Sequence, residues 1–142
     1  MGDLTKNISR HEVACKCQGK FGKCNAIAMD FETINIVQEA CHHFEKVLGV
    51  EKVVLHIGSG SRCPAYNDTP TSEGGAGGSD GSYHKASCAI DHRISGVSIK
   101  ELYDYYDEKY PDRLGLGYYP PNKERGTKGF VHLDPRSYKA RW

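Results

Sequence analysis

Apolar positions recur at steps of three and four through Ile34, Val37, Cys41, Phe44 and Leu48, the signature of a helix with one buried stripe. Asp30 suits its N-cap and Gly49 its C-terminal stop. His42 and His43 lie beside the stripe, at the rim or in solvent. Lys52 to Ile57 is short and β-branched and reads as a strand, as does Ala86 to Asp91. Ser98-Ile99-Lys100-Glu101 is a capping box that opens a second helix. That helix carries Leu102, Tyr105 and Tyr106, and Pro111 closes it near Tyr110. Leu114 to Tyr119 and Gly129 to Asp134 read as two further strands, joined by a stretch that begins with the turn Pro120-Pro121-Asn122. The first thirty residues form an irregular lead. Residues 67–81 are mostly Gly, Ser, Asp, Thr and Pro and predict a long flexible loop, read as a flap beside a site. Helices and strands mix without regular βαβ alternation. The expected class is therefore α+β, a small antiparallel sheet flanked by helices.

Composition adds limits. The 142 residues suit one domain, 1–142, with a single core. A net charge of +1 gives no field for nucleic acid. No stretch reaches the about 18–20 apolar residues of a membrane helix. The opening Met1-Gly2-Asp3-Leu4 lacks a signal-peptide core, which predicts synthesis in a cytoplasm. The six cysteines then default to reduced thiols. Cys15, Cys17 and Cys24 could ligate a structural zinc, but no clean second Cys-x-x-Cys accompanies them, so structural or spare thiols are the preferred reading.

Three pieces carry chemistry. His84 precedes Asp91 by seven residues, and both are ordinary zinc ligands. Strand parity separates residues an odd number apart, so His84 must sit in the loop before the strand to converge with Asp91. On the last strand His132 and Asp134 share a face. His132 could supply a third ligand, leaving a fourth position open as catalytic zinc sites do. In Ser59 to Asn67, Arg62 follows a strand end and suits a substrate anchor or an aid to a polarised carbonyl. His56, on the first strand, reads as a packed, hydrogen-bonded core histidine.

Together these pieces resemble the M15 family of zinc D-Ala-D-Ala peptidases, particularly its short bacterial and phage branch, which shares a core with the hedgehog signalling domain. The resemblance starts at Ser9-Arg10-His11-Glu12-Val13-Ala14-Cys15-Lys16-Cys17 and includes Ser59 to Asn67. It continues through Ser82-x-His84, Ala89-x-Asp91 and Gly129 to Asp134, and ends at Lys139-Ala140-Arg141-Trp142. It implies one catalytic Zn2+ on His84, Asp91 and His132, with Arg62 and Ser82 near the substrate. It implies peptidoglycan peptide as the substrate, cut by a phage lysin-type endopeptidase or a D-Ala-D-Ala carboxypeptidase. A monomer is expected, reaching the wall after holin-type release or virion delivery. A non-catalytic binding module on the same fold is the alternative. Ser87 stands where the family usually has Gly, and His92 where it usually has Ile. Phe130 and Gly129 stand where several relatives carry the Glu or His of the general base. Asp134 is the first candidate for that base or equally for a carboxylate behind His132; Glu124 and His92 follow.

Overall fold

The computed structural model describes residues 2–22, 24 and 29–142. Five strands form one sheet: β1 (Leu55–Ser59), β2 (Ile90–Ile94), β3 (Gly115–Tyr119), β4 (Phe130–Asp134) and β5 (Ala140–Arg141). Their order is β1-β2-β4-β3-β5. The first four pair antiparallel and β5 joins β3 in parallel. This is the small α+β architecture that the hydrophobic pattern predicts, with a short parallel edge added by the tail.

Two long helices cover one face. α2 (Phe31–Leu48) is capped by Asp30, which accepts from Thr33 N–H, and ends at Gly49 in the left-handed region. α4 (Ile99–Lys109) opens on the Ser98/Glu101 capping box. Strand alternation sends Ile90, His92 and Ile94 of β2 and Val131 and Leu133 of β4 toward these helices. There they join Val37, Cys41, Phe44, Leu102 and Tyr106 in the core. The intervening residues, Asp91, His132 and Asp134, fall on the opposite face. One period-two pattern thus separates core from chemistry.

Boundaries shift in two places. The strand expected at Ala86–Asp91 starts at Ile90, because residues 83–87 form a turn. The strand expected at Lys52–Ile57 runs from Leu55 to Ser59, with its register broken between Ile57 and Ser59. The lead is less irregular than its sequence suggests. Arg10–Val13 makes a one-turn helix, α1, and Asn7 docks on α2 through Gln38. Met1, Lys23 and residues 25–28 of the expected lead lie outside the described residues.

The glycine-rich stretch also carries structure. α3 (Pro64–Asp68) and a 3-10 turn at Thr71–Glu73 occupy part of it. The remainder wraps around Asn67, which is fully buried. Its Nδ2 donates to Ser79 O at 2.9 Å, and its carbonyl accepts from Gly78 N–H at 2.7 Å. The loop predicted from composition holds short helical turns and hydrogen bonds to Asn67, while none of residues 68–83 is buried.

Candidate metal centre and substrate groove

Register builds the centre. Asp91 on β2 stands opposite His132 on β4, and His132 stands opposite Gly117 on β3. His84 arrives from the turn before β2, where its main chain is fixed: Arg62 N–H donates to His84 O at 2.9 Å. The parity argument that places His84 in a loop holds. One ligand atom from each of His84, Asp91 and His132 lies within 4.8 Å of the other two.

The hydrogen bonds around these ligands argue for a cation. His84 Nδ1 lies 2.6 Å from Gly60 O, so this nitrogen carries the proton and Nε2 is left with a lone pair. That Nε2 faces Asp91 Oδ1 at 3.2 Å. His132 sits between two carboxylates, with Nδ1 at 2.8 Å from Asp91 Oδ1 and Nε2 at 3.0 Å from Asp134 Oδ2. A neutral imidazole can donate to only one of them. Lone pairs converging on one carboxylate oxygen repel unless a positive charge lies among them, and two imidazoles with one carboxylate are a donor set that zinc accepts. Zinc fits these residues.

Burial would raise the Asp91 carboxyl, but the two imidazoles crowded against it, His132 first, outweigh burial and hold the group well below the usual carboxylate range. Burial would likewise disfavour a charged His132, yet Asp134 and Asp91 raise its pKa above the ordinary value. Arg62 reaches the second Asp91 oxygen, with its NH2 group at 3.3 Å, while its Nε donates to Ser59 Oγ at 2.9 Å.

Asp134 is fully buried behind His132. Arg136 clamps it through Nε and an NH2 group, each at 2.7 Å. This carboxylate orients a ligand and shows no face to the groove. His92 is also fully buried, on the core side, with Nε2 2.8 Å from Tyr106 OH. Burial lowers its pKa to about 4, so it sits there as a neutral core histidine. Glu124 is exposed in the β3–β4 connection and does not line the groove. Of the base candidates, His92 follows Asp91 directly but lies on the core side of the sheet, and Glu124 lies outside the groove. His56 is only partly buried and bonds Ser95 Oγ at 2.8 Å, so the packed core histidine is His92 rather than His56.

The ligands form the floor of a groove of about 490 Å³. Ser82 and residues 76–79 of the glycine-rich loop make one side. Tyr119, Phe130 and Trp142 make an aromatic wall. Tyr119 and Phe130 stack at 4.4 Å, and Trp142 lies 5.2 Å from the His132 ring. Sequence reasoning assigned no role to Gly60, Arg136 or Trp142. Arg136 follows Asp134 by two positions, a spacing that a strand end could have flagged.

No curated protein and no solved structure matches the chain significantly. A family model does match, over residues 23–141, and it is described as peptidoglycan L,D-endopeptidase MepK. The matched span contains His84, Asp91 and His132 and every groove residue named above except Trp142. The chain belongs to this M15 peptidase family and is a peptidoglycan peptidase.

Proposed function

We propose that the chain is a zinc endopeptidase that cuts a bond next to a D-amino acid inside the peptidoglycan peptide. The convergence of His84 Nε2, Asp91 and His132 Nδ1 at the floor of the groove carries this reading. Zinc held there would polarise the scissile carbonyl and acidify water. The chain's own residues then orient the reactants. Gly60 O and Asp134 set the imidazole tautomers. Arg62 pins Asp91 and keeps further N–H donors for a substrate carbonyl. The Tyr119 hydroxyl accepts from Trp142 Nε1 at 2.9 Å, so its own proton is available to a bound peptide. Ser82 at the rim offers a hydroxyl to the peptide main chain. In this reading Asp134 positions His132 and does not act as the general base.

An internal bond is favoured over a terminal D-Ala. A carboxypeptidase must hold a free carboxylate, which calls for an available cation. The two guanidinium groups lining the groove are Arg62 and Arg136, and each is already engaged by an aspartate. The family description, an L,D-endopeptidase, agrees.

One observation supports a second reading, a binding module. Among the described groove residues the only carboxylate is the ligand Asp91, so no separate side-chain base is at hand. The test is amine release from purified peptidoglycan, with chelator, zinc add-back and His132→Ala alongside. We expect zinc-dependent release that the variant loses, with mass spectrometry finding internal cleavage. Loss of single D-Ala residues would overturn the endopeptidase assignment. Zinc bound through His132 without release from any wall would establish the binding module instead.

A further inference from the structure

Cys15, Cys17, Cys24 and Cys63 meet away from the groove, with their sulphurs all within 4.8 Å of one another. Three follow each other in the lead, and the fourth comes from the turn after β1, 39 positions beyond Cys24. None belongs to the apolar core cluster, unlike Cys41. No pair is joined as a disulfide. Four thiolates around zinc at about 2.3 Å place their sulphurs about 3.8 Å apart, a spacing that the 4.8 Å limit here admits.

The local main chain suits thiolates. Cys63 N–H donates to Cys15 Sγ at 3.3 Å. Gly19 N–H points at the Cys17 sulphur, and Tyr66 N–H at that of Cys63. Gln18 and Gly19 both adopt positive φ, 54° and 74°, turning the chain immediately after Cys17. Amide donors aimed at sulphur stabilise the deprotonated, metal-binding form.

We propose that Cys15, Cys17, Cys24 and Cys63 bind a structural zinc ion as four thiolates. Each thiol gives its proton to solvent as its zinc–sulphur bond forms. All four positions are filled by protein, the closed pattern of a structural site. The ion would fasten the lead to the turn that carries Arg62, which is adjacent to Cys63 and holds Asp91. Ser61 N–H already donates to Val13 O at 2.7 Å beside this junction. Sequence spacing alone hides the site, since Cys63 is remote from the other three.

The test uses the full chain, prepared under reducing conditions. We expect two zinc ions per chain, and cobalt substitution giving intense near-ultraviolet thiolate-to-metal charge transfer. His132→Ala should lower the count to one and keep those bands. Cys63→Ser and, separately, Cys24→Ser should lose the bands. Should either variant fail to fold, the cobalt spectrum of the unaltered chain decides by itself. A cobalt-loaded chain without thiolate bands, or four cysteines recovered as two disulfides, would overturn the proposal. Neither result touches the His132-dependent ion.

Discussion

Ser87 adopts φ 55°, in the left-handed region, within the turn that delivers His84. Its N–H donates to His84 O at 3.1 Å and its carbonyl accepts from Asp30 N–H at 2.7 Å, so the conformation is held from both sides. A side chain there costs about 1–2 kcal/mol, whereas glycine adopts the conformation without steric cost but loses more entropy on folding, about 0.5–1 kcal/mol. We expect Ser87→Gly to raise unfolding free energy by about 0.5–1 kcal/mol, read from denaturant midpoints. This is the position where the resemblance leads one to expect glycine. At this scale the three residues that meet at the candidate centre were legible, because their order matches a motif. The supports were not legible. Gly60 contributes only a carbonyl, and no side chain announces it.

Among the elements, β3 shows why two glycines alternate in Gly115-Leu116-Gly117. Gly115 pairs with Asp134 and Gly117 with His132, so both face the centre. A Cβ at residue 115 would collide with Asp134 Oδ2 and lie 2.6 Å from Arg136 Nε. One at residue 117 would meet Trp142 Nε1 at 2.8 Å. The strand is thinned where its neighbour carries the clamped aspartate. We expect Gly115→Ala to loosen that clamp and weaken zinc binding by about 10–100-fold, measured by chelator competition. Helix ends and strand parity were readable because caps and period-two alternation are local. The order in the loop at 67–81 was not, because it rests on Asn67, a polar residue whose burial depends on distant partners.

Across the whole molecule, polar ties fasten the ends of the chain to its middle. Lys6 pairs with Glu45 of α2 at 2.9 Å, and Glu45 also accepts from Val53 N–H at 3.4 Å. Burial would raise this carboxyl, but Lys6 and these hydrogen bonds hold it below its ordinary value of 4.5. A depressed folded pKa contributes stability that is fully present above about 4.5 and is lost as pH falls. Glu45→Gln should therefore be less stable than the unaltered chain at pH 7, with the gap closing as pH falls below about 4.5, as denaturant titrations at each pH would show. At the other end Arg141 donates to the carbonyls of Tyr110, Arg113, Leu114 and Ala140 and pairs with Asp107 at 2.7 Å. Such long-range ties leave no periodic trace, so the sequence does not reveal how the tail is anchored.

That anchoring gives the protein a built-in optical reporter. The chain has one tryptophan, Trp142, held against β3 by Tyr118 N–H donating to Trp142 O at 2.7 Å. Its indole lies beside His132 and 5.3 Å from the Arg136 guanidinium. Its fluorescence therefore arises at the groove alone. Filling the centre changes the charge beside the indole, and a bound peptide excludes water from the ring. Each event changes the emission in its own way, so occupancy can be followed in solution without any label.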